Sequence, residues 1–365
     1  MNYKEALYFI GNCLSCTKNV SAKKWVVSQV TSKKIDWETV VKVSSAQLVV
    51  PALYLNLKRA NVLHLLPKDL ITYFKEMTAL NKERNIAILN QVNHLVELLN
   101  KHQIEHVFLK GTAHLLENLY EDISERMIGD IDLLVAPEQF DKTAKLALEI
   151  GYKPLTKYYK NELKLLKHYP RLVHEEWIAA VEIHRVVIQP PYNTTLKSTS
   201  ILEHKLAFEN TFTPSYHHQI LHNILNVQVN DKGFLYAKIN LRQMYDCYLL
   251  SFRPTVLTTL KNDTTYYYRK SLYFKLINSV FTTSLFKIND TFILRFLMLW
   301  YQKSIYFPTL NYALNRFIYY NYRLFNYIRL FVSAFYKKEI RDSLYRKLSD
   351  AGWYKEHLKS YKNKV

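Results

Sequence analysis

Glycine is scarce in this chain, with six residues in 365. The shortage argues against a glycine-rich phosphate loop, and neither G-x-G-x-x-G nor G-x-x-x-x-G-K-[ST] occurs. Cysteine is rarer still. Cys13, Cys16 and Cys247 cannot build a disulfide framework, and the lone C-x-x-C of Cys13 and Cys16 lacks the second pair a structural zinc site needs. Its spacing suits one face of an N-terminal helix. A reducing, cytoplasmic setting is therefore expected. Long apolar runs are missing too. The most apolar late stretch, "TFILRFLMLWYQKSIYF", is broken by Arg295 and Lys303 and falls short of a membrane span. Residues 1–20 carry Lys4, Glu5 and Lys18 and no apolar h-region, so no signal peptide is expected.

Acidic residues are in deficit. The 31 Asp and Glu stand against 50 Lys and Arg, a net charge of +19. Residues 251–365 hold 20 Lys or Arg against six Asp or Glu, and 26 of the 47 Tyr and Phe. A basic, aromatic C-terminal third suits an anionic partner such as nucleic acid, a lipid surface or a phosphorylated glycan. It equally suits a solvated Lys- and Tyr-rich surface, and charge alone leaves both readings open. If the partner is anionic, these cations should line the approach to the active centre. "NRFIYYNYRLFNYIRLFVSAFYKK" is aromatic all round, which favours burial over an interfacial helix for peripheral membrane contact.

What is present is an ordinary globular balance, 49% hydrophobic and 22% charged, in a chain long enough for two or three domains. Residues 1–100 show apolar residues at three- and four-residue spacing and are expected to be helical. Ile86, Leu89, Val92, Leu95, Val96 and Leu99 form one stripe. The pattern then alternates. "IEHVFLKG" reads as a strand, "TAHLLENLY" as a helix that Thr112 caps, and "DIDLLV" as a strand. A helix opened by Pro137 and closed by Gly151 follows, then strands in "YPRLVH" and "WIAAVEIHRVV". From 191 onward the reading is helical again. The expected architecture is α+β: a small mixed-sheet core at 101–190 between helical regions at 1–100 and 191–365.

One short stretch carries the chemistry. "ERMIGDIDLLV" places Asp130 and Asp132 on the same face of an apolar strand. Buried carboxylates are costly unless paired or bound to a cation. Glu182, in "AAVEIHRVV", is a third acid in an apolar strand, and His184 shares its face. Its structural alternative is an ion pair with Arg185. Lys110, Gly111 and Thr112 stand at a strand-to-helix turn, where backbone N–H groups and a lysine would suit phosphate. Carboxylates plus phosphates are the usual ligands of Mg2+.

This combination resembles the nucleotidyltransferase fold of the DNA polymerase beta superfamily. It is more similar to a bacterial branch, the uncharacterised nucleotidyltransferase family. The resembling segments are "FLKGTAHLLENLYED", "ERMIGDIDLLV", "LEIGYKP", "VEIHRVV", "HHQILHNI" and "NLRQMYDCYLL", over roughly residues 80–250. The turn here is Gly-Thr where the superfamily usually has Gly-Ser or Gly-Gly, and the gap from Gly111 to Asp130 is longer than in minimal members. The resemblance implies a transferase moving a nucleoside monophosphate from an NTP to an acceptor: a small molecule, glycan, RNA or protein. It implies Asp130, Asp132 and Glu182 as catalytic residues and ligands of Mg2+ or Mn2+. It implies Lys110, Gly111, Thr112 and Arg126 at the nucleotide. The alternative is a non-catalytic nucleotide-, RNA- or membrane-surface-binding protein on the same fold.

Other polar residues have expected structural roles. Arg126 has Glu125 or Asp122 as candidate partners. His218 and His222, spaced i, i+4 without H-E-x-x-H, are expected to pack or hydrogen-bond rather than bind metal. Arg242 and Asp246, at the same spacing, are expected to pair with each other.

Overall fold

Helices fill the first hundred residues of the computed structural model, which describes residues 1–32, 35–156, 166–189, 192–262 and 266–349. They are α1 (Tyr3–Ser15), α2 (Val20–Thr31), α3 (Trp37–Ala46), α4 (Val50–Arg59) and the long α5 (Lys68–Lys101). A capping box starts α1: Asn2 accepts from the Glu5 N–H, and Glu5 accepts from that of Asn2. Cys13 and Cys16 are buried free thiols at the end of α1.

Val92, Leu95, Val96 and Leu99 of the expected α5 stripe are buried, but Ile86 is 45% exposed. The buried face runs instead through Asn81, Asn85, Ile88 and Gln91. The NH2 groups of these amides donate to backbone carbonyls outside the strand ladders. Asn81 donates to the Ser124 carbonyl at 2.6 Å, and Asn85 to those of Ile123 at 2.6 Å and Arg126 at 2.8 Å. Gln91 donates to the Ala179 carbonyl at 2.8 Å. Buried polar groups with partners are inexpensive, so an apolar-periodicity reading rotates the face wrongly here.

The sheet follows. Its strands are β1 (His106–Leu109), β2 (Asp130–Val135), β3 (Lys153–Pro154), β4 (Leu172–Val173) and β5 (Ala180–His184), in the order β1–β2–β5–β4–β3. Only β2 and β5 are parallel. Between β1 and β2 lies α6 (Lys110–Leu116). After β2, a 3-10 turn at Pro137–Gln139 leads into α7 (Phe140–Glu149). Gly151 closes α7 at φ +99°, a left-handed conformation that favours glycine. The fold is α+β with a mixed sheet flanked by helices, as expected.

Beyond the sheet come α8 (Ser198–Glu203) and a hairpin of β6 (Leu206–Phe208) and β7 (Thr211–Thr213), which the sequence reading did not anticipate. Then α9 (Tyr216–Leu225) runs into a π-helical turn at Asn226–Asn230. After it stand α10 (Gly233–Tyr236), α11 (Leu241–Leu250), α12 (Val256–Asn262), α13 (Tyr267–Val280) and α14 (Phe292–Tyr306). N- and C-terminal helices share one core, with Ile10, Leu53, Ile224, Tyr248 and Ile277 fully buried in it. At Gly11 a Cβ would meet the Val280 carbonyl oxygen at 2.4 Å, so α1 and α13 touch through their backbones.

The described residues fall into two units. Residues 1–156 and 167–306 form the first, and α15 (Pro308–Tyr336) and α16 (Lys338–Ser349) belong to the second. Burial was expected for the all-round aromatic helix, yet Phe317, Phe325, Phe331 and Tyr336 of α15 are exposed. Two of its arginines lie against tyrosine hydroxyls one turn away: Arg316 on Tyr320 at 3.4 Å and Arg323 on Tyr319 at 2.7 Å. Among the described residues no helix is long and apolar enough to cross a membrane.

Candidate active site

Asp132 of β2 lies directly opposite Glu182 of β5, and Leu109 of β1 lies opposite Asp132 on the other side. Parallel neighbours in register share their alternation, so Asp130, Asp132, Glu182 and His184 face the same side of the sheet. Lys110, one residue past the end of β1, emerges beside them. Its ammonium donates to Asp132 Oδ1 at 2.6 Å, and His184 Nε2 reaches the same oxygen at 2.8 Å and Glu182 Oε2 at 3.4 Å. Arg171 binds Asp130, and its Nε stands 3.7 Å from Glu182 Oε1. The arginine beside Glu182 is thus Arg171, from the segment leading into β4, rather than the Arg185 of the structural alternative.

Electrostatics hold Asp132, Glu182 and Lys110 ionised. Burial works to raise the Asp132 carboxyl, but Lys110 and His184 together carry it well below the usual carboxylate range. Burial and the neighbouring Asp132 work to raise Glu182, and His184 together with His168 holds it below its ordinary value. Burial opposes the charge on Lys110, and Asp132 and Glu182 hold it above its ordinary value. Lys110 has φ +54°, which costs a side-chain-bearing residue about 1–2 kcal/mol. Its ion pair with Asp132 helps keep it there, and such strain concentrates at functional sites.

The acids line a cleft of about 590 Å3 whose other wall is built from α9, the π-helical turn and α11. Gly111 lines it. A Cβ there would lie 2.9 Å from Ile128 Cγ1, so close packing accounts for that glycine. Thr112 does not line it. Its hydroxyl is fully buried without a hydrogen-bond partner, and α6 begins at Lys110 with no side-chain cap, so the expected Thr112 cap is not formed. α6 has only seven residues, too few for a strong dipole at its start.

Arg126 lines the cleft, with its guanidinium held by Asp246. Two parallel bonds of 2.7 Å join them, and a third N–H donates to the Met127 carbonyl. Tyr120 donates to the same carboxylate, and His114 Nδ1 stands 3.3 Å from it. The expected Arg242–Asp246 pair is therefore absent, and Arg242 donates to Met127 O at 2.9 Å. Glu125, the candidate partner of Arg126, is bound by Arg59 at 2.6 Å. His218 bonds Ser215 Oγ at 2.8 Å. His222, although on the cleft wall, forms no ligand cluster with it among the described residues.

The charge expectation fares differently. Among the described residues of the first unit, the cleft takes its cations from Lys110, Arg126, Lys167 and Arg242, and none from 251–306. Arg253 instead caps the Glu117 and Asn118 carbonyls, and Lys275 and Arg295 hold Asp290. Lys167 and Asp231, both on the cleft, were missed by sequence reasoning. Each is one polar residue among many in its stretch and only the fold brings it to the acids.

Ligand atoms of Asp132, Glu182 and His184 lie within 4.8 Å of one another, two carboxylates and an imidazole that could hold a metal ion. Asp130 is outside that group.

No curated protein matches the chain. The profile of the uncharacterised nucleotidyltransferases matches residues 33–255, more than half of the sequence and all of the sheet and cleft just described, and the chain belongs to that family.

Proposed function

We propose that the chain is a metal-dependent nucleotidyltransferase that moves a nucleoside monophosphate from an NTP to an acceptor hydroxyl. The observation that carries this reading is the in-register meeting of Asp132 and Glu182 at the cleft, with Asp130 and His184 on the same face. The acceptor oxygen forms a bond to the α-phosphorus. The bond from that phosphorus to the β-phosphate oxygen breaks, its electron pair leaves with pyrophosphate, and the hydroxyl proton passes to the Glu182 carboxylate. Asp132, Glu182 and His184 would hold Mg2+ or Mn2+, which when bound supplies positive charge to the reacting phosphates.

The remaining roles belong to the chain's own residues. His184 orients Asp132. Lys110 and Gly111 stand where phosphate would enter, with Lys110 as a point charge. Arg126 acts by bracing: locked to Asp246, it stiffens the loop before β2. Thr112, set behind the turn, supports Gly111 rather than touching nucleotide. Most of the rate would come from positioning and electrostatics.

The test is incubation with each α-labelled NTP, Mg2+ or Mn2+, and a cell extract, followed by identification of the labelled product. Label transfer by the wild type and its loss in Asp132→Asn is the expected result. Equal transfer by both would remove the acids from the mechanism.

A further inference from the structure

Among the described residues, three of the four Lys and Arg side chains that line the cleft have a close partner. Lys110 is bonded to Asp132, Arg126 to Asp246, and Arg242 to a carbonyl. Lys167 lines the same cleft, partly buried, and among the described residues its ammonium makes no hydrogen bond or ion pair. Its backbone is fixed: the Lys167 carbonyl accepts from the N–H groups of Arg185 and Val186 at 3.1 and 3.2 Å, just past the end of β5. The next residue, His168, forms a bridge to His184. The side chain is thus held beside the acid cluster by the strand that carries Glu182.

A cation withdrawn from water without a counter-ion is destabilising. Burial lowers the proton affinity of Lys167, and the charge on Lys110 lowers it further, against the pull of Asp132, Glu182 and Asp231. Two neighbouring ammonium groups that repel each other are a poor structural device and a good receptor for a multiply charged anion. The Gly111 turn supplies little of that role, because Thr112 is turned away and α6 is short.

We propose that Lys167 binds the β- and γ-phosphates of the NTP, the pyrophosphate moiety, with Lys110 on its other side. The inference rests on the nucleotidyltransferase reading and names a residue that reading does not use. It places the polyphosphate between Lys110, just past β1, and Lys167, in the segment before β4 that is tied to the backbone just past β5, rather than over the helix start.

The experiment is calorimetric titration of the whole protein with inorganic tripolyphosphate in the presence of Mg2+, for wild type, Lys167→Met, Lys167→Arg and a surface control, Lys338→Met. Lys167→Met should bind about 10- to 100-fold more weakly, the range for one hydrogen bond to a charged group. Lys167→Arg should lose less, and Lys338→Met should match wild type. Thermal melting gives a second readout. Without tripolyphosphate Lys167→Met should melt at or above the wild-type temperature, because it loses an uncompensated charge. With tripolyphosphate the wild type should gain stability and Lys167→Met should not. Wild-type affinity in Lys167→Met, or no tripolyphosphate binding by the wild type, overturns the assignment. Neither measurement needs an acceptor. Label transfer by a wild type whose tripolyphosphate binding ignores Lys167 sinks this inference and leaves the reaction standing. Lys167-dependent binding without transfer does the reverse.

Discussion

Asp130 and Asp132 are alike in sequence and unlike in place. Asp132 is 7% exposed and shared by Lys110 and His184, whereas Asp130 sits at the strand start with the half-exposed Arg171. Asp132→Asn should therefore lower transfer about 100- to 1000-fold, the usual cost of removing one preorganised electrostatic group. Asp130→Asn should cost less if Arg171 remains its main partner. Initial rates of pyrophosphate release compare them, and equal losses would place Asp130 in the metal site as well. A second residue-scale expectation concerns Asp246, which is 1% exposed and takes bonds from Arg126 and Tyr120. Asp246→Asn strands a buried guanidinium and should destabilise the fold by about 3–5 kcal/mol in urea. A loss under 1 kcal/mol would mean the network relaxes around the gap. The acids were legible from the chain because alternation in an apolar strand is a local signal. The partner of Arg126 lies 120 positions away, and no local pattern encodes it.

Elements tell the same story with their faces and ends. α5 was legible as a helix, yet its buried face includes Asn81, Asn85 and Gln91, which apolar periodicity ignores. Asn85 holds the carbonyls of Ile123 and Arg126, at the start of the loop that delivers Asp130. Asn85→Leu leaves the Ile123 carbonyl without its donor and the Arg126 carbonyl with Asn81 at 3.3 Å, and should cost about 1–3 kcal/mol. It should also reduce transfer by loosening the loop. Full activity with unchanged urea stability would show that water replaces the amide. α9 carries a pH signature. His218 is lowered from 6.5 to about 4, first by burial and then by His217 and His204. His222 is held well below the ordinary value by burial, then by Lys110, Lys167 and His184, against Asp132. In the unfolded chain both would titrate near 6.5, so between about pH 6.5 and 4 the unfolded state binds more protons. Stability should fall as pH drops through that window. Urea midpoints at pH 7.5, 6 and 5 should decline, less steeply in His218→Gln. A flat profile would show that the pocket hydrates on protonation. The strand read in YPRLVH is present as β4, whereas the short β3 and the β6–β7 hairpin escaped the sequence reading because two or three residues are too few to display a period.

At the scale of the whole molecule, charge was countable in the sequence while its placement was not. The +14 of residues 251–365 suggested a rim around the acids, yet among the described residues of the first unit the cleft's cations come from residues 110–242 and none from 251–306. In α15 the aromatics are exposed, and Arg316, Arg323 and Arg329 stand in a helix with no acidic residue. Such a surface meets polyanions through long-range attraction, which salt screens over about 8 Å at physiological ionic strength. Full-length protein should therefore bind heparin resin and elute at a defined salt concentration. The double reversal Arg316→Glu with Arg329→Glu should elute markedly earlier, because it removes two positive charges and adds two negative ones on exposed positions. Label transfer to a neutral acceptor should stay unchanged, because long-range attraction acts only on a charged acceptor. Transfer to an anionic acceptor should fall at low salt and converge on wild type as salt rises. Earlier elution with transfer unchanged at every salt concentration would mean that the basic helix serves retention or solubility and takes no part in acceptor delivery. Unchanged elution would place the heparin-binding charge elsewhere on the molecule.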